Sequence, residues 1–198
     1  MSDLDHSAHA VFGQGVESSR PLHGGDLSEV RLVVLQDGQS VVVKIGPVVE
    51  TEARMLETMA AAKAPTPSVL GLSRHHLFLE ALPESGASAA GWEALAKGLR
   101  RLHSHLGADY GWQEAYAFGA VEIPNRPRTD WPSFWAENRL LPSVPHLPAA
   151  LARRVEAIAE KLPDILPVRP GTSLLHGDLW SGNVLFGPRG TAHLIDPA

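Results

Sequence analysis

Residues 29–61 constrain the fold more than any other stretch. The segment EVRLVVLQDGQSVVVKI (29–45) carries two β-rich runs on either side of Asp37-Gly38, the kind of dipeptide a tight hairpin favours. Directly after it comes VVETEARMLETMAAAKA, rich in Ala, Glu, Leu and Met and stopped by Pro65 and Pro67. An antiparallel ribbon followed by a helix is therefore predicted. On that helix, positions 52, 55, 56 and 59 share a face and read Glu52, Met55, Leu56 and Met59, while Glu50, Arg54 and Glu57 fall elsewhere. A carboxylate on an apolar stripe is costly unless a cation meets it. Lys44, at the end of VVVK, is the candidate. A strand-terminal lysine taken alone usually snorkels into water, so it is Glu52 that turns Lys44 inward.

Downstream, PSVLGLSRHHLFLEALPESG offers short strands near 69–72 and 76–81 and then a Pro/Gly/Ser break at 83–91. The break divides the chain into a first lobe, 1–82, and a second, 83–198. The second is mainly helical, with amphipathic patterns at AGWEALAKGLRRLHSHL (90–106) and PAALARRVEAIAEKL (148–162). Between them lies a loop-rich insert holding Tyr110, Trp112, Tyr116, Trp131 and Trp135, suited equally to a cleft wall or to core packing. The last segment, SLLHGDLWSGNVLFGPRGTAHLIDPA, reads as strand, loop, strand, turn and strand. The fold class expected is α+β.

Composition removes several functions. A formal charge of −5 with no Lys/Arg run longer than a pair gives no footprint for nucleic acid. The absence of cysteine excludes disulfides and zinc-thiolate sites, so any metal binds oxygen or imidazole. No stretch approaches a membrane span, and the N-terminus lacks the basic and apolar regions of a signal peptide, which implies a cytoplasmic protein.

The chemistry concentrates in LLHGDLWSGNVLF (174–186), with a carboxylate at Asp178 and a carboxamide five residues on at Asn183. Such a loop can simply satisfy its own backbone. The interval nevertheless equals that of the H-R-D-L-x-x-x-N phosphoryl-transfer loop, and Asp196 stands after the next hairpin, where the D-F-G aspartate would stand. ATP chemistry needs a carboxylate to take the proton of the attacking hydroxyl, for which Asp178 is suited. It also needs hard oxygens for Mg²⁺, for which Asn183 and Asp196 are suited. A strand lysine held by a helix glutamate, here Lys44 and Glu52, is the pair with which kinases hold nucleotide phosphates. Gly24, Gly25 and Ser28, in HGGDLSEV, fall where a phosphate-covering loop is needed, although they match neither G-x-G-x-x-G nor Walker A. A histidine metal site is disfavoured, because His75-His76 and the alternate pair at 103 and 105 do not share a helical face. His176 reads as a brace for the catalytic loop.

With these residues in place the chain resembles the fructosamine kinase family, within the aminoglycoside phosphotransferase and protein-kinase-like superfamily. The resemblance is carried by GGDLSEV, Lys44, ETEARML, LFLEAL, Phe118-Gly119, WPSFWAENRLLP, LLHGDLWSGN and IDPA. Trp180 discriminates best, since DLWSGN is typical of fructosamine kinases. The resemblance implies a bilobal fold with a small N-lobe of antiparallel sheet and one helix. It implies Asp178 as catalytic base, Asn183 and Asp196 as Mg²⁺ ligands, Lys44 and Glu52 on the phosphates of ATP, and backbone around Glu80 to Leu82 on adenine. Trp180 would stack on the sugar or pack under the loop. The reaction implied is phosphorylation of the 3-hydroxyl of a small-molecule or protein-bound ketoamine, leading to deglycation. Two departures stand out. VEIPNRPRTDWP differs from the Gln- and Asn-containing stretch common in the family's eukaryotic members. The family also continues past IDPA with a Tyr-Gly and acidic segment and several helices, so a truncated chain is expected. An aminoglycoside- or choline-type kinase, and a nucleotide-binding fragment without turnover, remain alternatives.

Overall fold

The computed structural model of the chain describes residues 2–22 and 28–198. Two compact units emerge, one of Met1–Ser104 with Leu175–Ala198 and the other of His105–Leu174. This grouping by compactness is a different division from the lobes 1–82 and 83–198 drawn above.

The first unit is built on a five-stranded antiparallel sheet of β1 (Val16–Pro21), β2 (Glu29–Leu35), β3 (Ser40–Ile45), β4 (Val69–Ser73) and β5 (His76–Glu80), in the order β1-β2-β3-β5-β4. Gly38 turns the β2–β3 hairpin at φ 87°, a value that favours glycine, and the Asp37 carboxylate accepts from Gln39 N at 2.8 Å. β3 reads as an unbroken apolar run because both its faces are covered. Val41 and Val43 join Val33, Leu35 and Phe78 under helix α1 (Asp3–Phe12). Val42 points the other way, onto Val49, Ala53 and Leu56 of helix α2 (Val49–Ala61) and Leu77 and Leu79 of β5. With a side-chain period of two, Lys44 shares the α2 face with Val42.

Helix α1 and strand β1 lie outside the elements the sequence pattern predicted. α1 is only ten residues long, but Ser2 caps it by accepting from Asp5 N at 3.1 Å. The Asp5 carboxylate accepts from Val16 N at 2.8 Å and so ties the helix to β1. Buried Ser7 meets His76 Nδ1 at 3.1 Å, and Phe12 packs edge-on against Phe78 at 5.2 Å. Helix α3 (Ala89–Ser104) and the hairpin of β8 (Val184–Gly187) and β9 (Thr191–Leu194) complete this unit, with Trp92 against Phe186 at 4.8 Å.

In the second unit the insert read as loop-rich contains a small hairpin, β6 (Tyr116–Phe118) with β7 (Val121–Ile123). Helix α4 (Trp131–Trp135), a π-helix (Ala136–Leu140) and a 3₁₀ helix (Leu141–His146) follow, then α5 (Ala149–Ile165). Each piece before α5 is too short to show a period. The aromatic residues mostly pack on one another: Trp131 stacks on Phe134 at 5.3 Å and meets Tyr110 at 5.2 Å. The first strand read in the segment SLLHGDLWSGNVLFGPRGTAHLIDPA does not form among the described residues. Ser173 instead makes an isolated antiparallel bridge with Leu106.

Phe78 is fully buried between α1 and the sheet. Phe78→Ala should lower unfolding free energy by about 3–5 kcal/mol, read from urea denaturation. A loss below ~1 kcal/mol would contradict this packing.

Candidate active site

The site in the first unit begins with a desolvated cation. Lys44 Nζ donates to Glu52 Oε1 at 2.6 Å and to Asp196 Oδ1 at 2.8 Å. Lys44 is 6% exposed and Glu52 1%. The helix-face argument thus finds its partner, and the structure adds a third member that the face argument did not contain. On Lys44, burial acts to lower the pKa, but the charges and hydrogen bonds of Glu52 and Asp196 outweigh it and the ammonium is held above its ordinary value. On Glu52, burial acts upward against the pull of Lys44, and burial is the larger. We take the pair as ionised, since the short double contact to carboxylates is what an ammonium requires.

Asp196 follows β9 at φ 57°, in the left-handed region that non-glycine residues rarely occupy. Around it, three hydrogen bonds tie the Asp178 loop to the C-terminal segment and a fourth closes the loop on itself. His176 Nε2 donates to the Ile195 carbonyl at 2.9 Å, Ala198 N to the His176 carbonyl at 3.0 Å, Ile195 N to the Asn183 carbonyl at 3.1 Å, and Asn183 N to the Trp180 carbonyl at 3.0 Å. Gly177, at φ 88°, sits so close to this segment that a Cβ there would fall 1.6 Å from Ala198 O. The His176 reading as a brace rests on this tether. Its Nδ1 is buried with no partner among the described residues, and burial holds its pKa below the ordinary histidine value, against the pull of the Ile195 carbonyl and of Asp178 and Asp196.

Within the loop, Asn183 Nδ2 donates to the Asp178 carbonyl at 2.8 Å and to Asp178 Oδ2 at 3.0 Å. With the amide nitrogen committed to two acceptors, Oδ1 is the atom left to meet a cation. Asn183 Oδ1 and the second oxygen of Asp196 are hard donors, a set that fits Mg²⁺. Trp180 stands two residues from Asp178 and is 61% exposed.

The other candidates divide. Ser28 lies at a bend just before β2, and Gly24 and Gly25 lie outside the described residues. Glu80 and Leu82 stand at the exit of β5, where the Glu80 carboxylate accepts from Ser68 N and Oγ at 3.2 and 2.8 Å. The Glu80 side chain is thus engaged by structure, and so is its backbone N–H, which donates to the Ser68 carbonyl at 2.9 Å. Sequence reasoning missed the Asp196 contact to Lys44, which joins residues 152 apart in the chain, and the close fit at Gly177 and Gly182.

A lysine–glutamate pair under an antiparallel sheet, bonded to a further Asp, together with an Asp-x₄-Asn loop, marks the protein-kinase-like class of phosphotransferase fold. A crystal structure from Thermobifida fusca, of a protein with a provisional fructosamine-3-kinase name, superposes with a TM-score of 0.87 at 26% identity, covering 99% of this chain and 73% of that one. An aminoglycoside phosphotransferase crystallised with AMP-PNP and hygromycin B shares the fold at a TM-score of 0.64 and 18% identity, covering 99% and 71%. A provisionally named ketoamine kinase of Synechocystis sp. is 32% identical over 203 residues, 92% of this chain and 66% of its own. Residues 2–198 match the fructosamine kinase family, and the chain belongs to it. It spans about two thirds of the length of such relatives.

Two outcomes follow from the buried charges. Lys44→Met leaves Glu52 buried without its cation and should cost about 3–5 kcal/mol in urea unfolding, part of which Glu52→Leu in the same chain restores. No loss would show that the pair does not hold the fold. For His176 the folded-state pKa is lowered, so the unfolded chain takes up the proton first as pH falls. Its contribution is therefore present above the ordinary value of about 6.5 and is lost as pH drops from there through the folded value. Wild type should lose stability over that window more steeply than His176→Gln; equal slopes would contradict the direction.

Proposed function

We propose that this protein is an ATP-dependent ketoamine kinase that phosphorylates the 3-hydroxyl of a fructosamine or ribulosamine adduct, which leads to deglycation. The observation that carries the reading is the buried Lys44–Glu52 pair, bonded at 2.6 Å, with Lys44 also bonded to Asp196 at 2.8 Å. A desolvated ammonium so placed is a phosphate ligand whose position does not depend on solvent. In this reading the first lobe, residues 1–82, holds ATP. Lys44 contacts its phosphates, Glu52 keeps Lys44 in place, and Gly24, Gly25 and Ser28 cover them. Backbone from Glu80 to Leu82 meets adenine.

Asn183 and Asp196 would hold Mg²⁺, which supplies charge neutralisation on the phosphates. Asp178 accepts the proton of the attacking hydroxyl through the carboxylate that Asn183 Nδ2 already orients at 3.0 Å. Trp180 offers its exposed indole to the acceptor. The acceptor is a free or protein-bound ketoamine, and the protein works in the cytoplasm, where Mg-ATP is supplied. The family membership and the ketoamine kinase names of relatives support this choice over an aminoglycoside- or choline-type acceptor.

The test is Mg-ATP consumption by the 198-residue chain with a ribulosamine, a fructosamine, choline and an aminoglycoside. Turnover with ketoamines alone is expected; turnover only with choline or the aminoglycoside reassigns the acceptor, and ATP binding without turnover marks a nucleotide-binding fragment. Asp178→Asn should lower kcat by about a hundred- to ten-thousand-fold with nucleotide affinity kept, because the amide can still accept from Asn183 but cannot take the proton. Wild-type turnover in that variant would remove Asp178 as the base.

A further inference from the structure

Gly182 occupies a position where neither turn geometry nor charge calls for glycine. It lies in the short 3₁₀ helix Ser181–Asn183, outside the left-handed region in which glycine has a conformational advantage. At such a position alanine ordinarily stabilises a protein slightly, by restricting the unfolded chain. What residue 182 lacks is room. A Cβ there would lie 2.4 Å from both Cη2 and Cζ2 of Trp180 and 2.8 Å from its Cε2. The benzo ring of Trp180 therefore rests directly on the Cα of Gly182. That ring belongs to a residue that is 61% exposed, so one face is seated on backbone while much of the side chain stays open to solvent.

Trp180 thus offers solvent an aromatic surface that its own loop holds in place. Trp180 is two residues from Asp178, and its carbonyl accepts from Asn183 N at 3.0 Å, so the ring is carried by the same loop that carries the proposed base and metal ligand. We propose that Gly182 is a positioning residue for the acceptor: its missing side chain is the seat that fixes the Trp180 indole as a stacking platform for the C–H face of the ketoamine. This rests on the function proposed above. The platform binds through the π-face, which favours an acceptor presenting a weakly polar, hydrogen-bearing ring or chain face.

Because Trp180 is exposed, displacing it costs the fold little, so the role separates from folding. Gly182→Ala should push the ring off its seat and raise the KM for the ketoamine by about five- to tenfold, with ATP affinity and urea midpoint nearly unchanged. Trp180→Phe, whose shorter ring does not reach residue 182, should raise the same KM. Adding Gly182→Ala to Trp180→Phe should then have no further effect, since the clash is gone. Three results would overturn the proposal: an unchanged ketoamine KM in Gly182→Ala, the same fold-loss from Gly182→Ala in the Trp180→Phe chain, or a parallel loss of ATP affinity, which would mean a disturbed loop. Wild-type chain that consumes no ATP with any ketoamine overturns the function and this inference together. Wild-type turnover with an indifferent Gly182→Ala overturns the inference alone.

Discussion

The ammonium of Lys44, taken almost out of water and set between Glu52 and Asp196, is the constraint to which the first unit is fitted. Three separate elements must agree for it to exist. β3 must keep its period of two so that Lys44 emerges on the face of Val42. Helix α2 must be rotated so that Glu52 lies among Val49, Ala53 and Leu56. The chain beyond β9 must bring Asp196 back from 152 residues away. A buried ion pair seldom adds net stability over a hydrophobic replacement, but any arrangement that separates the charges is heavily penalised. The pair therefore acts as a register device: a shift of one residue in the β3 pairing would turn Lys44 to the opposite face, among Val41, Val43 and Phe78.

The second constraint is made of backbone. His176, Asn183, Ile195 and Ala198 exchange hydrogen bonds so that the loop carrying Asp178 and the segment carrying Asp196 behave as one piece. Gly177 permits the approach, since its φ of 88° and the 1.6 Å clash of any Cβ with Ala198 O exclude other residues. His176 meets the same segment with a neutral imidazole, and burial keeps it neutral. The strained φ of Asp196 is then held by its surroundings: Lys44 on its carboxylate and bonds to Ile195 and Ala198 on either side along the chain.

What could be read from the sequence was whatever broke a local rule. Glu52 was visible because a carboxylate interrupted an apolar stripe, and Lys44 because it ended an apolar strand. The β2–β3 hairpin was visible through Asp37-Gly38, and α2, α3 and α5 through their length. Helix α1 was missed although its signals are present: Ser2 caps it, and Leu4, Ala8, Val11 and Phe12 form a short apolar stripe at helical spacing that packs on the sheet. The first strand read in the last segment is reduced to the isolated bridge of Ser173 with Leu106, a pairing that depends on tertiary placement. The Asp178–Asn183 interval was legible, whereas the bond between them, the Lys44–Asp196 contact and the seat of Trp180 on Gly182 depend on distances that spacing does not carry. Gly24 and Gly25, the weakest of the motif residues, lie outside the described residues.

Burial differs sharply between the two ends of the proposed reaction. Lys44 and Glu52 are enclosed, and changing either disturbs the packing of the sheet against α2. Trp180 rests on Gly182 of its own loop and is 61% exposed, so its replacement disturbs little of the packing. Phosphate chemistry asks for the first arrangement, because a cation is strongest where water is excluded. Acceptor recognition tolerates the second, because stacking needs only a fixed face. Under the function proposed above, the acceptor side of such a scaffold can vary without refolding the buried pair on which the sheet and α2 depend.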